Sequence, residues 1–398
     1  MRKIILLFLV LLSAGSLVAQ PLQEKPPSQS YSEIASTFSD RLFFTGYKKE
    51  GNRMISPLSA LLALSMTMNG AVGETKSEML TVLTDSLYTS ASLNAESETY
   101  LNSLRQESVL DISNSIWMND AFQISPVFLD SIRTNYQGVA QSLDLQDPSS
   151  AGIINAYVKK ATRGAIADII DRTSPDMLTY LINTIAFKDD WKEQFSGSDT
   201  RDGTFFAEHE KKTVPFMNQE KQFPYLDGDN HQFIVLPYAN ERYSFVALLP
   251  NKSISIRSFL AKYEDRPFSQ MLFDWAELGK ETLVRLSLPK FESRYQESLV
   301  SSLSTMGMKK AFTPGVADFS AMLSSDQAPL HIDEVLHKSF IRVDEEGTEA
   351  AAVTAVMIRL TSFMPRESVE MRLNRPFFYA ILDMQEEIPL FMGILDTP

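Results

Sequence analysis

Hydrophobic and polar positions along the chain fall into a succession of short helical and extended patterns. Residues 58–68 are apolar or small on nearly every side, which predicts a helix buried all round. Ser56 can cap that helix, Pro57 suits its first turn, where no amide donor is needed, and Gly70 is a natural stop. Further helices are predicted over residues 32–46, 75–83, 90–106, 126–135, 149–163 and 296–306, the last ending near Gly307. Alternating or continuous apolar runs predict strands over residues 109–118, 178–187, 213–219, 233–237, 244–249, 330–343 and 369–373. The run at 178–187 is almost unbroken, as expected of a strand covered on both faces.

One stretch organises the rest. Residues 347–364 (GTEAAAVTAVMIRLTSFM) contain no proline, and no glycine after Gly347. Every second residue from Thr348 is small or apolar: Thr348, Ala350, Ala352, Thr354, Val356 and Ile358. The alternate set, Glu349, Ala351, Val353, Ala355, Met357 and Arg359, carries both charges. A strand sends successive side chains to opposite faces, so the pattern predicts one buried face and one wetter face. It follows a strand and the acidic corner 344–347, and it precedes another strand. A plain hairpin strand and a segment reserved for some other use both fit this local pattern.

Composition narrows the partners. The chain has 398 residues, enough for a large core, and a net charge of −13, which argues against nucleic acid or an anionic membrane surface. It has no cysteine, hence no disulfide and no thiolate ligand. Met1-Arg2-Lys3, the apolar run 4–12 and Ala19-Gln20 form a secretory signal peptide over residues 1–19, cleaved after Ala19, followed by a flexible leader at 20–30. The apolar run is too short to span a bilayer.

Competing chemistry finds little support. Of the four histidines (His209, His231, His331 and His337), His331 and His337 with Asp333 share one face of the predicted strand. Positions i and i+6 on a strand are about 20 Å apart, too far to share one ion, so no metal is expected. No G-x-S-x-G elbow, H-E-x-x-H helix or P-loop is present, so an enzyme is not expected. A secreted binding module, with 347–364 as an exposed recognition segment, is the rival from another class.

The flanks of the alternating stretch decide between these. HKSFIRVDEEGTEAAAVTAV, from His337, resembles the hinge of the serpin reactive loop. Asn52-x-x-x-Ser56-Pro57-x-Ser59 resembles the start of the second serpin helix, and residues 183–188 (NTIAFK) resemble another family signature, with Asp189 where the family has glycine. Residues 155–158, 236–238, 247–250, 288–291, 317–320, 374–378 and 389–393 have serpin counterparts too, with Tyr157 replacing the usual tryptophan. The resemblance covers residues 31–398 in the family's order.

It implies an α+β serpin fold in one domain over 31–398: a large mixed central β-sheet plus two smaller sheets, about eight or nine helices, and an exposed reactive-centre loop at about 345–366. It implies a protease inhibitor acting as a suicide substrate, in which the cut loop inserts as a strand into the central sheet while the acyl-enzyme is held. By the family's count from the hinge, the scissile bond is Thr361-Ser362, with Arg359 and Phe363 as alternatives. The implied hinge is Glu345, Gly347, Thr348, Glu349, Ala350, Ala351 and Ala352, with Gly347 suited by its freedom of backbone angle. The breach, where the loop first enters, is Trp191, Lys290 and Glu345. The shutter, a polar cluster beneath the sheet, is Asn52, Ser56, Ser59, Asn183 and His337.

Thr361 would suit elastase-like or subtilisin-like serine proteases, Arg359 trypsin-like enzymes or Arg-directed cysteine proteases, and Phe363 chymotrypsin-like ones. No cofactor is expected. The helix that binds heparin in some serpins offers only Arg105 here, beside Glu96, Glu98 and Glu107, so no polyanion site is expected. A monomer, exported to the periplasm, the cell surface or the medium, completes the expectation. The alternative within the family is a non-inhibitory serpin acting as a secreted carrier.

Overall fold

The computed structural model describes residues 29–104, 109–174, 176–324, 330–348 and 367–398. Nine α-helices lie among them: α1 (Tyr31–Phe44), α2 (Pro57–Met68), α3 (Gly73–Thr84), α4 (Ser90–Ser103), α5 (Pro126–Tyr136), α6 (Ser149–Ala161), α7 (Ile256–Leu260), α8 (Phe268–Leu278) and α9 (Val300–Met306). The strands of the first half are β1 (Arg53–Ile55), β2 (Leu110–Asn119), β3 (Val139–Leu143), β4 (Thr179–Phe187), β5 (Asp189–Asp190), β6 (Arg201–Phe206), β7 (Lys211–Gly228) and β8 (His231–Pro237). Those of the second half are β9 (Tyr243–Pro250), β10 (Lys280–Pro289), β11 (Phe291–Ser298), β12 (Glu334–Val343), β13 (Gly347–Thr348), β14 (Val369–Arg372), β15 (Phe377–Asp383) and β16 (Ile388–Leu395).

The central sheet runs β3-β2-β4-β12-β13-β5, with β11 on the other edge of β12. It is mixed: β4 and β12 are parallel, and β2 and β4 antiparallel. Every residue of β4 is buried, as its apolar run predicts. The two smaller sheets form one hydrogen-bonded nine-stranded sheet, because β7 is long enough to pair with β10 over residues 216–225 and with β8 over 225–228.

α2 is buried at all twelve positions and lies beneath the central sheet, against β2, β4 and β16. Ser56 caps it, accepting from the Ser59 N–H at 3.4 Å. On the opposite face α6 and the residues after it cross the β4–β12 seam. A second core forms there from Ile154, Val158, Ile166 and Ile169, packed on Tyr180 and Ile182 of β4 and Phe340 of β12. The Lys338 ammonium donates to the Asp168 carbonyl and the Gln296 amide to the Ile169 carbonyl (3.0 Å), tethering that crossing segment to β12 and β11.

At two element boundaries tertiary contacts override the sequence reading. Residues 296–298 are not the first turn of a helix; they close β11, where Gln296 and Ser298 pair with Lys338 and Leu336. A tertiary ladder overrides the local helical pattern, and α9 starts only at Val300. The strand predicted over 330–343 begins at Glu334. Asp333 instead turns its carboxylate onto the N–H groups of Leu178 and Thr179 (2.7 and 2.9 Å), which fixes the start of β4.

Candidate functional site

β4 and β12 touch directly from the pair Glu334–Tyr180 to the pair Phe340–Ala186. Above that point the seam forks, and β13 stands in the fork. Thr348 pairs antiparallel with Val343 on one side and Asp189 on the other, and Gly347 pairs with Asp190. A Cβ on Gly347 would lie 2.1 Å from the Asp189 carbonyl oxygen. Close backbone approach, rather than the freedom of angle expected from sequence, is what demands glycine there. Thr348 is fully buried, and its hydroxyl shares a 2.7 Å hydrogen bond with the Tyr238 hydroxyl.

The acidic corner leading into β13 is clamped mainly through its backbone. Trp191 donates its indole N–H to the Asp344 carbonyl (2.8 Å) and its own amide to Glu346 (2.8 Å). The Phe195 amide donates to the Glu345 carbonyl at 2.9 Å. Within the corner, the Asp344 N–H donates to the Gly347 carbonyl at 3.0 Å, and the Asp344 carboxylate accepts from the amides of Glu346 and Gly347 at 3.1 and 3.3 Å. Glu345 accepts from the Lys290 ammonium (2.5 Å) and the Thr200 hydroxyl (2.7 Å). Burial opposes ionisation of Glu345, but these two donors outweigh it and hold its carboxyl below the usual range. Lys290 is a third exposed, so water screens the pair, and its worth is about 1 kcal/mol or less.

Trp191, Lys290, Glu345, Gly347 and Thr348 are thus brought together at the fork. Tyr238 and Thr200 join them, though sequence reasoning assigned neither a role here. Glu349, Ala350, Ala351 and Ala352, and the scissile positions Arg359, Thr361, Ser362 and Phe363, lie outside the described residues.

Midway down the seam sits a second polar group. Asn183 and His337 are register partners on β4 and β12, and the His337 Nδ1–H donates to the Asn183 side-chain oxygen at 2.6 Å. The Ser56 backbone N–H donates to His337 Nε2 at 3.0 Å, which requires the proton of the neutral ring to be on Nδ1. The Asn183 amide donates to the Ser59 carbonyl (2.8 Å), to the Ser59 hydroxyl, and to the Asn114 side-chain oxygen on β2 (2.6 Å). Four buried side chains and the start of α2 therefore close around a seam that any inserted strand must part.

Asn52 does not belong to this cluster. It holds the other end of the chain: its side-chain oxygen accepts from the amides of Asp396 and Thr397 (2.8 and 2.9 Å), and its amide donates to the Thr397 carbonyl (2.6 Å). β1 runs antiparallel to β16, which carries the C-terminus to Asn52. Asn114 takes a place in the cluster instead. Its one local signal is an amide side chain in the middle of a predicted strand.

Burial pushes His337 down from 6.5 to about 4; Glu297 opposes the shift and Arg53 adds to it. The folded state thus favours the neutral ring. Between pH 6.5 and 4 the unfolded chain binds the extra proton, so this residue's contribution to stability is complete above about 6.5 and is lost as pH falls toward 4. The loss amounts to roughly 3 kcal/mol. Asp40 acts in the opposite sense, since burial raises its carboxyl to about 7 against hydrogen bonds from Ser269. The readout is therefore the difference in unfolding free energy between wild type and His337→Gln. It is expected to shrink by about 3 kcal/mol from pH 7 to pH 4; a difference that stays constant would show that His337 does not titrate this way.

The histidines His331 and His337 have different partners. His331 Nε2 lies 3.0 Å from an Asp333 carboxylate oxygen, whereas His337 faces the shutter. No grouping of metal-ligating side chains occurs among the described residues.

Comparison with known proteins gives one pattern throughout. The family model described as serpin (serine protease inhibitor) matches residues 33–398. An uncharacterized serpin-like protein of Thermococcus kodakarensis is 32% identical, across 100% of this chain and 99% of that protein. The leukocyte elastase inhibitor of Bos taurus is 33% identical, across 90% of this chain and 96% of that protein. Among solved structures, the thermophilic serpin tengpin in its native state is 37% identical and superposes with a TM-score of 0.85, covering 96% of this chain and 97% of that one. The same protein in its latent state superposes less well, at 0.78.

Proposed function

Because this chain belongs to the serpin family, we propose that it is a secreted protease inhibitor that works as a suicide substrate. The observation that carries the reading is β13. Gly347 and Thr348 already lie as a strand between β5 and β12, antiparallel to both, and in sequence the residues that follow alternate between a small or apolar set and a set that carries both charges. A strand in the middle of a sheet tolerates no proline and few large or charged inward side chains, and 348–358 meet that demand.

In the proposed reaction the protease nucleophile attacks the carbonyl carbon of Thr361. The Thr361-Ser362 amide breaks, the new amine stays with residues 362–398, and Thr361 is left esterified to the enzyme. Insertion of 349 onward then draws the acyl-enzyme away from its attacking water before hydrolysis. Thr361 favours elastase-like or subtilisin-like serine proteases, a choice supported by the likeness to the leukocyte elastase inhibitor of Bos taurus. Cleavage at Arg359 would instead bring trypsin-like or Arg-directed cysteine proteases. The N-terminal signal supports action outside the cytoplasm, and Arg105 standing alone beside Glu96, Glu98 and Glu107 supports action without a polyanion cofactor.

Incubation with elastase, subtilisin, trypsin and chymotrypsin is expected to give an SDS-stable complex with the first two. Mass measurement of the released C-terminal peptide is expected to place its first residue at Ser362. Cleavage by every protease in the panel without a stable complex would rule out the inhibitor reading.

A further inference from the structure

We propose that Tyr238 is a positioning residue for loop insertion: its buried hydroxyl keeps Thr348 seated in the fork of the sheet before any cleavage. The consequence for protease trapping rests on the inhibitor reading above; the seating itself does not.

Tyr238 immediately follows β8 and is fully buried. Its ring stacks on Trp191 at 4.7 Å and 10° and packs on Phe187 at 4.8 Å. Its backbone N–H donates to the Tyr243 carbonyl at 3.0 Å, and its backbone bridges to that of Trp191. With the ring held on two sides and the main chain fixed, the hydroxyl is aimed in one direction. There it meets the Thr348 hydroxyl at 2.7 Å.

The other ties of this region grip the corner 344–346, and mostly its backbone, through Trp191, Phe195 and the Lys290–Glu345 pair. They hold residues 344–346 whatever side chain stands at 348. Among the described residues, the hydrogen bond that reaches an inward-facing side chain of the hinge is the one from Tyr238. The backbone on either side is fixed as well: Thr348 is paired with Val343 and Asp189, and Gly347 lies too close to the Asp189 carbonyl to admit a Cβ.

Seating the hinge has two opposed effects on the proposed reaction. It anchors the start of the segment to be cut and restrains its approach to a protease. It also removes the nucleation step of insertion, since the next inward residue starts beside a strand that is already paired. Loss of the hydroxyl should therefore speed the first encounter and slow the insertion that follows, a split that a general packing defect would not produce.

The test compares Tyr238→Phe, Thr348→Val and the double variant by amide hydrogen exchange of the peptide spanning 344–348 in uncut protein. Each single change is expected to speed exchange about fivefold, the double no more than either alone, and Thr348→Ser to restore protection relative to Thr348→Val. With a trapped protease as readout, Tyr238→Phe is expected to raise the inhibitor consumed per enzyme about threefold without slowing association. Unchanged exchange in Tyr238→Phe overturns the proposal, and so do effects that multiply in the double variant. Coupled exchange in a protein that traps no protease supports the seating and tells against the inhibitor reading instead.

Discussion

Cutting the segment 349–366 raises the melting temperature of the protein by about 10 °C on the inhibitor reading. The reason lies in the ladder that insertion replaces. β4 and β12 now share one parallel ladder of seven register pairs. A strand entering between them, in the direction already set by β13, exchanges that ladder for two antiparallel ones. The net gain is about ten backbone hydrogen bonds, or on the order of 10 kcal/mol, before apolar burial.

Against it stand the bonds that must break. His337 and Asn183 separate, at roughly 1 kcal/mol per hydrogen bond, and the segment crossing the seam must release its ties to Lys338 and Gln296. These costs are a few kcal/mol, and the two new ladders exceed them. For a chain of this size each kcal/mol moves the midpoint by about 1–2 °C. Calorimetry before and after limited proteolysis measures the shift directly. An unchanged midpoint would falsify insertion.

Thr348→Arg is expected to turn the inhibitor into a substrate. Thr348 is fully buried between Val343 and Asp189, with its hydroxyl on Tyr238. A guanidinium there would lose its water and the Tyr238 hydrogen bond and would not fit the space of a threonine, at a cost of several kcal/mol even beside Asp189, so the hinge is expelled and later insertion is slowed. Cleavage should continue while the yield of SDS-stable complex falls at least about tenfold. The melting temperature of the cut variant should also rise less than that of cut wild type. A Thr348→Arg protein that still forms the complex in full yield would show that inward burial at this position is not required.

Both results turn on features read at different levels. The alternation from Thr348 to Ile358 and the absence of proline are local and announce a strand with one small or apolar face, while the choice of an inserting strand over a plain hairpin came from the resemblance of the flanks. Ser56-Pro57 before an all-apolar run likewise announces a buried, capped helix, because a cap and a helical face are satisfied within a few residues. Asn52 was misplaced for the opposite reason. Its partners are Asp396 and Thr397, more than 340 positions along the chain, and only the pairing of β1 with β16 makes them neighbours. Gln296 to Ser298 read as helix until the ladder with β12 claims them.

By itself the sequence determined the types of most elements it predicted, the burial of α2 and β4, the family, and an alternating segment fit for insertion, since these depend on the order of side chains along a few turns or a single strand. The tertiary structure alone decided that two residues of that segment are already paired, that Tyr238 and Asn114 complete the sites at the fork and in the seam, and that the two lesser sheets are one. Hydrogen bonds between groups far apart in the chain exist only once the fold has brought them within 3 Å, and nothing in their local surroundings records the distance they must close.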